Sequence, residues 1–185
     1  MTTAPTTRRE EILRTAAELF ARRGFHGVSV ADLGAACGMS GPALYKHFAS
    51  KDAVLAEMLV SISEELLQEG RRRVLAADSP SAALASLIAW HTDFALANTS
   101  LIVVQDRDWS SLPDDARERV RSLQRSYVDL WADQLRQLQQ LTVKQAQARV
   151  HATFGLLNST PHSAFLSREE MAAVLHEMAG SALGL

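Results

Sequence analysis

Four times along the chain a hydroxyl residue stands three positions ahead of Glu, Asp or Gln and opens a run with helical periodicity. The pairs are Thr7 with Glu10, Ser29 with Asp32, Thr142 with Gln145 and Ser167 with Glu170. That spacing is a capping box. The hydroxyl accepts from the third helical N–H while the later side chain turns back to the cap's own N–H, satisfying two donors that helix geometry leaves unpaired. Ser40, Ser50, Ser79 before Pro80 and Ser111 near Pro113 are further candidate caps. Strand signals are nearly absent: Leu101-Ile-Val-Val104 is the one β-like tetrapeptide, too short against the periodicity around it. The chain is expected to be all-α, with about nine helices: an N-terminal three-helix unit at 1–52 and a larger helical body at 53–185.

The stretch from Ser29 to Lys51 carries the most specific pattern. Val30, Leu33 and Ala36 recur on one face. Gly38 follows where a helix end favours a left-handed backbone. Ser40 can then cap a second helix, and Pro42 in its first turn forfeits no hydrogen bond. Leu44 and Phe48 point inward at i, i+4, leaving Tyr45, Lys46 and His47 on the other side. Two helices around a short Gly-containing turn make a helix-turn-helix. The hydroxyl, phenol, ammonium and imidazole groups exposed on the second helix, about 41–47, suit a nucleic-acid surface. A helix at about 8–23, burying Ile12, Leu13, Ala16, Leu19 and Phe20, braces this hairpin.

These residues also resemble a known family, the tetracycline-repressor (TetR) family of bacterial transcription regulators. The matching features are Ile12-Leu-Arg-Thr-Ala-Ala-Glu-Leu-Phe20, Gly24-Phe25, Ser29-Val30, Gly38-Met-Ser40, Leu44-Tyr-Lys-His-Phe48 and Ser50-Lys51-Asp52. They cover residues 8 to about 60 almost without a gap. The resemblance implies a homodimeric, ligand-responsive repressor that binds an inverted-repeat operator in double-stranded DNA. It places the second motif helix in the major groove, with Tyr45 and His47 at the DNA backbone and Lys51 reaching a phosphate. Ser29 and Ser40 can do likewise. Gly41, Pro42 and Ala43 would give close approach and contact with thymine methyls, and Lys46 a guanine or a phosphate. It also implies that the last two helices form the dimer interface.

Composition is consistent with this division of labour. Residues 1–51 hold seven Lys/Arg against four Asp/Glu, and the remainder twelve against seventeen, within a net charge of −2. A basic head on an acidic body is the expected asymmetry for a nucleic-acid binder of low net charge. The single cysteine, Cys37, excludes an internal disulfide framework and is expected to be a small buried thiol. No apolar run approaches the ~20 residues that span a bilayer, and Arg8, Arg9, Glu10 and Glu11 leave no room for a signal-peptide core. A cytoplasmic protein without membrane contact is expected.

In the body, a long helix begins near Ser50 and carries Leu55, Met58, Leu59, Ile62 and Leu66. Gly70 and Arg71-Arg72-Arg73 interrupt its pattern; a basic triplet there could touch DNA, and a solvated helix C-terminus favoured by the macrodipole is the leading expectation. Pro80 to about Asn98 carries Trp90, His91 and Phe94. A short helix ending near Trp109 carries Gln105 and Arg107. The longest, from Pro113, carries Val120, Leu123, Tyr127, Leu130, Trp131, Leu135, Leu138 and Leu141 on one face. The last two, about 143–158 and 168–183, are rich in Ala and Gly. His91 and His151 lie on partly apolar stripes, where a hydrogen-bonded core histidine is expected.

No phosphate loop, nucleophile elbow or metal-ligand spacing appears, so no catalytic residue, metal ligand or cofactor is assigned. His91, Phe94, Gln105, Arg107, Trp109, Tyr127 and Trp131 are the candidate effector residues, since aromatic walls with a few polar groups suit a small molecule. Core filling accounts for the same aromatics. The stretch Leu101 to Arg107 is similar to regulators of acyl-coenzyme A metabolism, so an acyl-CoA or fatty-acyl effector is the leading expectation, with Arg107 nearest its phosphates. The competing expectation is a helical small-molecule-binding or enzymatic domain in which the helix-turn-helix-like hairpin is incidental.

Overall fold

All four capping boxes form in the computed structural model, which describes residues 7–163 and 165–185. The described residues hold ten α-helices and no strand. They are α1 Arg8–Arg23, α2 Val30–Ala36, α3 Gly41–Leu44, α4 Lys51–Ala76, α5 Pro80–Ala97, α6 Thr99–Asp108, α7 Asp114–Leu138, α8 Val143–Leu157, α9 Thr160–Ser163 and α10 Arg168–Leu183. A single 3₁₀ turn, Trp109–Ser111, follows α6. The short α9 is the helix beyond the expected nine.

Packing divides the chain into two compact units, each drawn from two stretches of sequence. The first holds the chain up to Ser61 together with Ser100–Arg119; the second holds Ile62–Thr99 and Val120–Leu185. Ile12, Phe20, Leu33, Leu55, Leu59 and Val104 are fully buried in the first. In the second, α10 packs on α5 and α8, around Leu84, Leu87, Trp131, Leu135, Leu157 and Leu175.

Three local expectations need correcting. The helix of Gly70 and Arg71–Arg73 does not end there but runs on to Ala76. Gly70 is buried: a Cβ on it would stand 2.7 Å from Cε2 of Tyr127, so the ring occupies the space a side chain would need. Arg73 is partly buried, bonded to Glu69 at 2.8 Å and Ser86 Oγ at 3.1 Å, with its guanidinium 5.4 Å from the Trp90 ring. His151 is exposed, whereas His91 is buried. Leu138 is exposed because α7 ends there, beyond the reach of the helices that cover Leu135.

No single helix among the described residues is long and apolar enough to cross a membrane.

Candidate functional site

In the first unit, α2 ends in a Schellman turn. Met39 N–H donates to Gly34 O at 2.8 Å and Gly38 N–H to Ala35 O at 3.1 Å, with Gly38 at φ +65°. Ser40 Oγ then accepts from Ala43 N–H at 3.3 Å and starts α3, with Pro42 in its first turn. The helix is shorter than the expected 41–47. After Leu44 the chain tightens into successive turns, with Lys46 N–H bonded to Ala43 O at 3.2 Å and His47 N–H to Leu44 O at 2.9 Å.

Leu44 and Phe48 are buried beneath this segment, which faces its other residues outward. Ser40, Pro42 and Lys46 are exposed, Tyr45 is 54% exposed, and Gly41, Ala43 and His47 are half-buried. Ser29 is exposed at the start of α2, its hydroxyl engaged in the capping box with Asp32. Two arginines fix the hairpin from behind. Arg8 donates to Cys37 O; Arg9 donates to His47 O, pairs with Glu57 and lies 4.2 Å from the Phe48 ring centroid. Both cap carbonyls that the ends of α2 and α3 leave unpaired. The Cys37 thiol is buried and pushed up chiefly by desolvation, a packing thiol rather than a reactive one.

Lys51 departs from expectation. Its ammonium donates to Phe25 O and Val28 O, both at 2.8 Å, and lies 4.2 Å from the Phe25 ring centroid. Two of its three donors hold the loop between α1 and α2, which makes Lys51 a positioning residue.

Of the seven candidate effector residues, the second unit brings together four: His91, Phe94, Tyr127 and Trp131. His91 is sandwiched between Phe154 (ring centroids 4.7 Å apart, planes at 11°) and Tyr127 (5.8 Å, 14°), with the edges of Phe94 and Trp131 at 5.8 and 6.1 Å. His91 Nε2 meets Asn158 Oδ1 at 3.0 Å and Nδ1 meets the Tyr127 hydroxyl at 3.4 Å. Gln105, Arg107 and Trp109 lie in the first unit. Arg107 is not available for phosphates as expected. Its guanidinium donates to Phe20 O and, at 3.0 Å, to Ala21 O, while pairing with buried Asp108 at 3.0 Å. It caps the C-terminal carbonyls of α1.

Burial lowers the His91 imidazole from its ordinary 6.5 to about 4, opposed in part by the Asn158 hydrogen bond. Burial likewise raises the Tyr127 phenol well above its ordinary 10. Between pH 4 and 6.5 the unfolded chain therefore binds a proton at His91 that the folded chain refuses. Stability should be unaffected by this group above pH 6.5, and should fall by about 3 kcal/mol as the pH drops to 4. Urea unfolding across that range checks it: His91→Phe should flatten the slope by nearly one proton, and an unchanged slope would remove His91 as the cause.

With this geometry in view, two family models match. One, the bacterial regulatory proteins of the tetR family, covers residues 12–58; the other, the tetracyclin repressor-like C-terminal domain, covers 77–162. Together they span well over half the chain. The chain belongs to the TetR family. This TetR-family chain is 28% identical over 131 residues to the HTH-type transcriptional repressor KstR2 of Rhodococcus jostii, an alignment covering 70% of the chain but only 64% of KstR2. A TetR-family regulator from Bordetella parapertussis superposes with a TM-score of 0.84 at 25% identity, covering 95% of this chain and 93% of that one. AibR, solved with isovaleryl coenzyme A and operator DNA, shares the fold at TM-score 0.77 and 21% identity, over 95% and 97%. KstR2 and the Bordetella parapertussis protein are transcription regulators.

Three residues of this TetR-family chain matter to the site although the sequence pattern does not single them out. A Cβ on Gly34 would stand 2.9 Å from Met39 O and 3.0 Å from Gly41 N, so only glycine lets the turn close against α2. A glycine inside a helical pattern costs about 1 kcal/mol, and that cost is the one signal the sequence carries for it. Phe154 and Asn158 complete the His91 cluster. The small residues around Phe154 mask it, and Asn158 is visible in sequence only as a helix C-cap.

Proposed function

We propose that the protein is a homodimeric repressor whose α3 segment enters the major groove of an inverted-repeat operator and is released by a small-molecule effector bound in the body. The observation that carries this reading is the outward face of α3 and its following turn: Ser40, Pro42, Tyr45 and Lys46 exposed over buried Leu44 and Phe48. Ser40, Tyr45, Lys46 and His47 meet phosphates or base edges; Gly41, Pro42 and Ala43 allow close approach; Ser29 reaches the backbone from the start of α2.

The test is a gel shift on the DNA flanking the protein's own gene, across a salt series. Lys46→Ala should weaken binding and reduce the salt slope by about one unit if it meets a phosphate. Lys51→Ala should instead lower the melting temperature, because it uncovers two carbonyls. A full salt slope in every α3 variant would sink the assignment.

The dimer surface proposed is the outward face of α8 and α10. Ala148, Ala152 and Gly155 are exposed there, as are Ala173, Val174, Met178 and Ala182. A Cβ added to Gly155 or Gly180 meets nothing within 4 Å among the described residues beyond its own helix, so packing against them does not demand glycine at either position. A closely approaching partner helix does. Ala152→Glu and Met178→Glu should convert the dimer to monomer in sedimentation velocity, since a charge buried at such a contact is costly. Ala179→Glu would not test this, because Ala179 is 0% exposed within the protomer.

The effector proposed is of the acyl-CoA or fatty-acyl type, its apolar part among His91, Phe94, Tyr127 and Trp131. The aromatic lining supports this, as does the likeness to AibR, which was solved with isovaleryl coenzyme A. Binding would favour a conformation of lower operator affinity.

A further inference from the structure

We infer that the effector buries an uncharged carbonyl group, whose oxygen accepts hydrogen bonds from the Trp131 indole N–H and the Tyr127 hydroxyl. This rests on the placement of the effector among the second unit's aromatics and names the chemistry it presents there.

Trp131 is 0% exposed, and its Nε1, which can only donate, makes no hydrogen bond of normal geometry among the described residues, the Tyr127 oxygen being the acceptor that acts on it. Its ring stands edge-on to Tyr127, with centroids 6.0 Å apart and planes at 82°. The Tyr127 hydroxyl is nearly as deeply buried. Its contact to His91 Nδ1 is long at 3.4 Å, and the Trp131 indole N–H on the next turn acts on its oxygen. His91 is fixed from its other side, Nε2 lying 3.0 Å from Asn158 Oδ1. With Nε2 donating to that amide oxygen, Nδ1 is the acceptor and the phenol carries its own proton. Two neutral donors thus sit on adjacent turns of α7. What the cluster lacks is an acceptor in line with the indole N–H.

The charge that acceptor can carry is limited as well. His91 is neutral when folded, and Arg73, the cation acting on Tyr127, is already paired with Glu69 at 2.8 Å. A carboxylate would enter without a counter-ion and lose its hydration, whereas a thioester or ketone carbonyl needs only the donors present. An amine would face donors with nothing to accept its protons.

The test uses the full chain, ¹⁵N-labelled, and four probes built on the isovaleryl group. They are S-isovaleryl-N-acetylcysteamine, the thioether in which a methylene replaces its carbonyl, isovaleryl-CoA and isovalerate. The truncated thioester should move one of the three tryptophan indole N–H resonances downfield. That resonance should be the one absent in Trp131→Phe. The thioether should bind about tenfold more weakly, the factor expected for losing the Trp131 hydrogen bond while the Tyr127 hydroxyl falls back on His91 Nδ1; isovalerate should not bind. The thioester–thioether comparison runs on the unaltered protein, so it survives a Trp131→Phe that fails to fold. Equal affinity for thioester and thioether, an unmoved indole, tight binding of isovalerate, or no binding by any probe overturns the carbonyl seat. If the truncated thioester moves the indole but isovaleryl-CoA does not release DNA, the seat stands and the acyl-CoA reading falls.

Discussion

Gly34→Ala is expected to abolish operator binding while leaving the second unit folded. The added methyl would stand 2.9 Å from Met39 O, 3.0 Å from Gly41 N and 3.1 Å from Ser40 C, and all three are backbone atoms. A flexible side chain could swing away from such an overlap; a hydrogen-bonded turn cannot. Relief requires α2 and α3 to separate. That would break the Met39–Gly34 bond and tilt the residues proposed to face DNA. Overpacking of this kind costs about 1–3 kcal/mol or more, and the loss of DNA affinity should exceed what that figure alone implies. Gly38→Ala is the informative control. Its φ of +65° penalises alanine by about 1 kcal/mol, but among the described residues no atom beyond its chain neighbours lies within 4 Å of the added methyl. Thermal melting with gel shifts on both variants separates the effects. If Gly34→Ala binds DNA as well as Gly38→Ala does, the close approach is not what sets the hairpin geometry.

Trp131→Ala should produce the largest loss of stability of any single substitution considered. The side chain is fully buried against His91, Tyr127 and Phe154, with centroid separations of 5.0–6.1 Å. Truncating such a ring costs about 3–5 kcal/mol, a large share of the ~5–15 kcal/mol that holds a domain folded. For a chain of this size the melting temperature should fall by roughly 6–20 °C. Trp131→Phe keeps most of the packing and should lose far less. If Trp131→Ala folds at low temperature and still releases DNA in response to effector, the aromatic cluster is core and the effector binds elsewhere.

The two substitutions probe features that differ in how far they could be read from sequence. Gly38 announces itself: a glycine placed after an apolar helical run and two residues before a serine marks a helix end with a left-handed backbone. Gly34 is written just as plainly. Its reason lies in the approach of Met39 and Gly41, which exists only once the turn has closed. The same holds for the cluster. Tyr127 and Trp131 share a helix face by spacing alone, whereas His91 is 36 residues from Tyr127 and 67 from Asn158.

The long cations were the least legible. The family resemblance implies a phosphate for Lys51, and position makes Arg107 the nearest cation to an effector's phosphates, yet both cap carbonyls in their own unit. An unpaired carbonyl at a helix end or in a loop is invisible in sequence, and a flexible side chain can reach any of several. Short-range forces therefore let the sequence by itself determine the helices, their four capping boxes and the turn at Gly38, because each depends on residues within about five positions. Only the tertiary structure decided that α6 packs in the first unit, that Gly70 is buried against Tyr127, and that Phe154 and Asn158 close around His91. Those outcomes depend on which helix faces meet, and burial of apolar surface selects them without regard to distance along the chain.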